Sequence, residues 1–158
     1  MEASVIIAEG EGETAALGRV LAGWVMPGDL VTLAGELGAG KTTLVRAMCA
    51  ALEVPREAGV SSPSYALVNV YEGGRFPVAH VDLYRLADDD ELESIGFRDL
   101  LDGEHVVLVE WPERAAGLET AADLRVRIED RGPAARSVEI SAADPGRRAA
   151  LERLLART

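Results

Sequence analysis

Apolar residues recur at two spacings along this chain, and the switches between them predict its layout. Leu17, Val20, Leu21 and Trp24 fall at helical spacing, which predicts an amphipathic helix over residues 14–25. Pro27-Gly28 should break it. Leu44, Val45, Met48, Cys49 and Leu52 share one face of a second helix that begins at Lys41, so Cys49 is expected to be a packed core residue. Val5-Ile6-Ile7, Leu30-Val31-Thr32-Leu33-Ala34 and His105-Val106-Val107-Leu108-Val109-Glu110 predict strands, the last two buried. Residues 65–71 and 76–84 predict two more, joined as a hairpin around Gly73-Gly74. Residues 124–128 and 137–140 alternate like strands, with Gly132-Pro133 turning between them. Residues 55–63 read as a loop, 88–101 as a helix interrupted near Gly96, and 147–155 as a final helix. Helices and strands interleave, which predicts one α/β domain over residues 1–158. It is expected to have three layers and a mainly parallel sheet with antiparallel additions.

Composition narrows this picture. At 158 residues and 48% apolar content the chain can bury a real core, and with 4% aromatics that core should be Leu, Val, Ile and Ala. The N-terminus has no basic region leading into a long apolar stretch, and no run approaches the roughly 18 residues of a membrane span. A single cysteine leaves no internal disulfide. The expectation is a cytoplasmic protein with no membrane partner. A net charge of −11 argues against autonomous binding to a phosphate backbone, so contact with nucleic acid should run through partners. Arg147, Arg148, Arg153 and Arg157 form the one basic cluster, and read as the solvated face of the last helix.

The chemistry concentrates after the second strand. Gly35-Glu36-Leu37-Gly38-Ala39-Gly40-Lys41-Thr42 fits the phosphate-binding pattern G-x-x-x-x-G-K-[ST]. Glycines let successive N–H groups turn toward phosphate oxygens, Lys41 brings positive charge to the β- and γ-phosphates, and the Thr42 hydroxyl is placed to ligate Mg²⁺. The following helix points its positive dipole end at the same place. Such a loop needs an acid near the metal at the end of a neighbouring buried strand. Glu110 is the first candidate and Asp82 the second, either sharing the metal or orienting the attacking water. His80 could act as a base, but its mid-strand position favours a core histidine. Trp111 and Pro112 read as structural, with Trp111 also a candidate lid. Ser61-Ser62-Pro63-Ser64 is a hydroxyl-rich loop that reads equally as a γ-phosphate sensor or as an ordinary turn.

The segments from Thr14 to Gly18, from Gly35 to Thr43, Ser62-Pro63-Ser64-Tyr65-Ala66-Leu67-Val68-Asn69, His80-Val81-Asp82-Leu83-Tyr84-Arg85-Leu86 and Glu110-Trp111-Pro112-Glu113-Arg114 together resemble the TsaE family of small bacterial P-loop ATPases. The H-x-D-x-Y-R-L and E-W-P-E segments are far more specific than the phosphate loop. The resemblance implies an ATP- and Mg²⁺-dependent hydrolase. With Arg85 and Arg136 the only candidates for an arginine finger, slow turnover in isolation is expected. Such a hydrolase would work with the enzymes that transfer threonylcarbamoyl to the adenosine beside the anticodon of tRNA, and touch tRNA only indirectly. It further implies that Thr42 and Glu110 serve the metal, that Asp82 supports hydrolysis, and that Glu11 and Thr14 lie near the nucleobase. Ser64 stands where the family usually has threonine and keeps the hydroxyl. Weaker similarity over residues 132–136 makes Arg136 a candidate phosphate or nucleotide contact. Three rival readings remain open. A small-molecule kinase would want a cluster of arginines between the phosphate loop and Glu110, where only Arg85 stands out. A GTPase would want an N-K-x-D segment, which does not occur. A nucleotide-dependent scaffold overlaps with the family reading.

Overall fold

A computed structural model describes residues 2–63 and 67–157; the expectations placed on Ser64 and on strand residues 65–66 lie outside them. The elements in chain order are β1 (Ser4–Glu9), α1 (Gly10–Trp24), β2 (Leu30–Ala34), α2 (Lys41–Ala51), β3 (Val68–Tyr71), β4 (Val78–Asp82), α3 (Asp89–Ser94), α4 (Phe97–Leu100), β5 (Val106–Glu110), α5 (Leu118–Ala121), β6 (Leu124–Asp130), β7 (Ala135–Ala142) and α6 (Pro145–Leu155). Short 3₁₀ turns at Arg56–Ala58 and Pro112–Arg114 were not expected. α1 begins at Gly10 rather than residue 14. Its first turn, Gly-Glu-Gly-Glu, has no apolar period to announce it, yet Glu11 and Glu13 suit the positive end of the helix.

Among the described residues, seven strands form one sheet in the order β1-β7-β6-β2-β5-β4-β3. β2 pairs in parallel with β5 and β6, and β4 in parallel with β5. β7 runs against both β6 and β1, so β1 shares the direction of the central strands; β3 runs against β4. The mainly parallel sheet with antiparallel additions is therefore as expected, and the additions lie toward its two edges. β2, β4 and β5 are buried along their whole length, which is why they read as continuous apolar runs.

Helices cover both faces. On one side Leu17, Leu21 and Trp24 of α1, Leu44, Val45, Met48 and Cys49 of α2 and Leu151 of α6 pack over Val31, Leu33, Val106 and Leu108. On the other, Phe97 and Leu118 close over Ala79, Val81, Val107 and Val109. A β-carbon on Gly18 would fall 2.4 Å from the Ala47 Cβ, so glycine is what lets α1 and α2 lie in direct contact. Cys49 is fully buried and its thiol is pushed up to about 12 by desolvation, as a packed residue should be. Among the described residues no helix is long and apolar enough to cross a membrane.

The basic cluster is not simply a solvated face. Arg147 makes a two-pronged ion pair with Asp29, at 2.8 Å and 2.7 Å. Its guanidinium lies 3.9 Å from the centre of the Trp24 ring. A helical surface pattern cannot foretell this, because the partner carboxylate is far away in the sequence.

Candidate functional site

The parallel strands β2, β4 and β5 all end at one edge of the sheet, and their carboxyl ends deliver the candidate residues there, as open α/β sheets do. β2 runs into the glycine loop of residues 35–40. β5 ends on Glu110, whose register partners are Leu33 of β2 and Asp82 of β4. Strand alternation puts Val78, His80 and Asp82 on one face, together with Val106, Leu108 and Glu110. Val78, Val106 and Leu108 pack in the cluster with α2, so this is the face on which α2 lies. Thr42, in the first turn of α2, therefore meets Glu110.

The loop is shaped by close backbone approach. A β-carbon on Gly35 would come 2.6 Å from the Ile128 carbonyl oxygen of β6, which only glycine avoids. The Lys41 ammonium curls back over the loop and donates to the carbonyl oxygens of Gly35 and, at 3.1 Å, Glu36. It also lies 3.8 Å from the centre of the Trp111 ring. Burial lowers its pKa from the ordinary lysine value, against the opposing pull of Glu110, Glu113, Asp82 and Glu36. Trp111 holds its backbone in the left-handed region, φ 59°, a conformation that costs a bulky residue on the order of 1–2 kcal/mol. That turn lays its ring against both Lys41 and Tyr84, the latter at 4.8 Å between ring centres.

Contacts to two carboxylates, Glu110 and Asp82, define the chemistry. The Thr42 hydroxyl reaches both Glu110 oxygens, at 3.2 Å and 3.1 Å. His80 Nε2 lies 2.5 Å from Glu110 Oε2. Ser62 donates its hydroxyl to Asp82 at 2.5 Å, and the Tyr84 N–H donates to the other Asp82 oxygen at 2.9 Å. Residue 61 is held to β3 through the Tyr71 hydroxyl and the Asn69 amide. Thr42, Glu110, Asp82, Ser62 and Tyr84 line a cleft of about 630 Å³, between the loop on one side and Ser62, Asp82 and Trp111 on the other. All donors facing a cation here are hard oxygens. Among the described residues no group of three or more His, Cys, Asp or Glu could hold a metal by itself. That suits Mg²⁺, which takes one or two protein oxygens and completes its shell with water and phosphate, better than zinc or a fully caged calcium.

A second hollow of about 230 Å³ adjoins the loop on the other side, lined by Glu11, Thr14, Thr43, Pro133 and Arg136 among others. It brings together the residues expected near a nucleobase. Arg136 donates to the Ala39 carbonyl at 2.9 Å and pairs with Asp130 at 3.1 Å, tying the β6–β7 hairpin to the phosphate loop. Of the expected set, only Ser64 is outside the described residues. Sequence reasoning undervalued His80. It is buried, as a core histidine should be, but its ring nitrogen reaches Glu110. The signal was present in the two-residue spacing from His80 to Asp82, which places both on one face of a strand.

The family described as "Threonylcarbamoyl adenosine biosynthesis protein TsaE" matches residues 8–138. A tRNA threonylcarbamoyladenosine biosynthesis protein TsaE from Haemophilus influenzae is 42% identical over 113 residues, 72% of this chain and 70% of that one. The protein of the same name from Aquifex aeolicus is 36% identical over 126 residues, 80% of this chain and 90% of that one. The crystal structure of Bacillus subtilis YdiB superposes with a TM-score of 0.74 at 27% identity, covering 99% of this chain and 95% of that one.

Proposed function

This chain belongs to the TsaE family of threonylcarbamoyladenosine biosynthesis, and from that premise we propose that it is a Mg²⁺-dependent ATPase working in complex with the threonylcarbamoyl-transferring enzymes. The observation that carries the proposal is the Thr42 hydroxyl bonded to both oxygens of Glu110, one residue beyond Lys41. A threonine that donates its proton to the acid keeps its lone pairs for a cation, so the pair is a ready holder for magnesium. Bound there, magnesium would neutralise phosphate charge and polarise the terminal phosphoryl group. The acids around Lys41 would otherwise repel a triphosphate.

In this reading Lys41 leaves the carbonyls of Gly35 and Glu36 for the β- and γ-phosphate oxygens. The N–H groups of the loop and the start of α2 cradle the same phosphates. Asp82 is the group that would orient water, and the Ser62 hydroxyl occupies one of its oxygens until residues 61–63 shift. Glu11 and Thr14 would face the nucleobase, with Arg136 bracing the loop or touching the nucleotide. Ser64 keeps its place in the proposal as the hydroxyl of the sensing loop. An arginine finger is worth about 10³–10⁵ in rate. Arg85 lines the cleft and Arg136 braces the loop, but turnover by the chain alone should be slow until a partner supplies that charge or orders the loop. The acidic surface favours protein partners over bare tRNA.

The test is steady-state ATPase with the chain alone, with the purified transferase complex, and with tRNA alone. Strong acceleration by the complex and little by tRNA is expected. Fast turnover in isolation, unchanged by the complex, would refute the proposal.

A further inference from the structure

We infer that His80 is a positioning residue: it fixes the rotation of the Glu110 carboxylate and thereby sets how tightly the nucleotide complex holds magnesium. The inference rests on the reading of Glu110 as the magnesium acid. Its basis is an asymmetry in the contacts. The Thr42 hydroxyl touches both carboxylate oxygens at nearly equal distance, 3.2 Å and 3.1 Å, so it cannot choose between them. His80 touches Oε2 alone, at 2.5 Å. The last torsion of a glutamate is broad and roughly two-fold, and needs such a one-sided contact to be fixed.

The polar atoms of the ring tell the same story. A carboxylate oxygen accepts, so Nε2 is the donor in this contact. Nδ1 is buried and has no hydrogen-bond partner among the described residues. A histidine serving only to fill the core would be better replaced by an apolar side chain, since an orphaned buried polar atom is a cost. Here one nitrogen is left orphaned in order that the other can reach Glu110. The ring cannot readily swing away, because its side chain is wholly buried and β4 is paired on both sides. Oε1 is thereby left without a histidine contact, as the oxygen that can turn to a cation. Hydrogen bonds that orient a metal-holding carboxylate typically matter by 10–100-fold in metal affinity.

The test uses two near-isosteric substitutions in the full chain. H80Q puts an amide N–H where Nε2 was; H80N puts it near Nδ1, too short to reach Glu110. H80L, which removes the donor altogether, is a second variant without a contact to Glu110 should H80N fail to fold. Each is titrated with Mg²⁺ while binding of the non-hydrolysable analogue AMP-PNP is followed by calorimetry, with a parallel arm in EDTA, and melting curves confirm folding. AMP-PNP affinity in EDTA should stay as in the wild type. The Mg²⁺ midpoint should rise by about tenfold in H80N and H80L and stay within about threefold in H80Q. A folded H80N or H80L with the wild-type midpoint would overturn the inference, as would H80Q failing as badly as H80N. If the wild type itself binds AMP-PNP without any response to Mg²⁺, the reading of Glu110 falls first and takes the inference with it.

Discussion

β2 carries a partly buried cation near each of its ends, and the two are held in opposite ways. Just before the strand, the buried carboxylate of Asp29 takes Arg147 in a two-pronged pair and also accepts the Met26 N–H at 2.8 Å. Hydrogen bonding to Asp29 raises the arginine pKa above its ordinary value. Beyond the strand, Lys41 has neutral carbonyls and an aromatic face for company, and burial lowers its pKa. Acids stand nearby without gripping it. A cation fully matched by a carboxylate is finished, and serves the fold. One desolvated against neutral dipoles still has charge to offer an anion, and its natural occupant is a phosphate.

Breaking the phosphate end should cost function and little stability. Lys41→Ala is expected to reduce ATP binding or turnover by about 10²–10³-fold or more. Its melting free energy should move by no more than about 1 kcal/mol, because the removed cation gave up hydration to be there. Fluorescent-nucleotide binding and a thermal melt on one preparation check both halves. A folded variant with wild-type turnover would mean that Lys41 is merely structural. Next in size are Glu110→Gln and Asp82→Asn, which keep shape and remove charge; each should lower turnover by about 10²-fold. If instead melting collapses while the folded fraction keeps its specific activity, these acids belong with Asp29 as structural groups.

At the other end the pattern should invert. Asp29→Ala leaves Arg147 without its carboxylate and the Met26 N–H without an acceptor. Breaking a buried pair this way costs about 3–5 kcal/mol when both partners are dry. The Arg147 side chain is 27% exposed, so water recovers part of that, and about 2–3 kcal/mol is expected. Nucleotide affinity of the folded fraction should be unchanged. Chemical denaturation read beside AMP-PNP binding distinguishes this from a site mutation, and a loss of affinity without a loss of stability would erase the contrast between the two ends.

The two ends also differ in how much the sequence disclosed. The phosphate loop is local: strand, glycines, lysine, threonine and helix lie within residues 30–52, and each could be placed from the pattern alone. Glu110 and Asp82 were legible because apolar runs ending on an acid mark buried strands delivering a carboxylate to one edge. The Asp29–Arg147 pair was not legible, since nothing in either neighbourhood names the other; it depends on how α6 returns over α1. His80 lies between these cases. Its spacing from Asp82 fixed its face, but its bond to Glu110 depends on the register of β4 against β5, and His80 is level with Leu108, two residues short of the acid. The polar opening turn of α1 escaped notice for a third reason: its helical state is set by the charge of Glu11 and Glu13 at the helix start, which leaves no apolar period.

The smallest expected effect sharpens the comparison most directly, because it is a proton linkage that one end should show and the other should lack. Lys41 has its folded-state pKa lowered from the ordinary lysine value of 10.5, chiefly by burial. The folded chain then gives up that proton at lower pH than the unfolded chain does. As pH climbs toward 10.5 the unfolded state binds more protons, and stability contributed through Lys41 rises with pH. The contribution is fully present above the unfolded value and is lost as pH falls through the folded one. Arg147 shifts the other way, raised further above the ordinary arginine value by its bond to Asp29, so it stays charged in both states across this window and contributes no slope. The measurement is a pair of denaturation series, wild type and Lys41→Met, at pH 7.5 and pH 10. Every other titrating group is common to both chains, so only the difference matters, and it should move in favour of the wild type at the higher pH. A saturating phosphate ligand should reverse the sign, since an anion beside Nζ favours the protonated ammonium and resists its loss. A difference independent of pH in both series would mean that Lys41 is as well matched in the folded chain as Arg147, and the distinction between the two ends of β2 would fail.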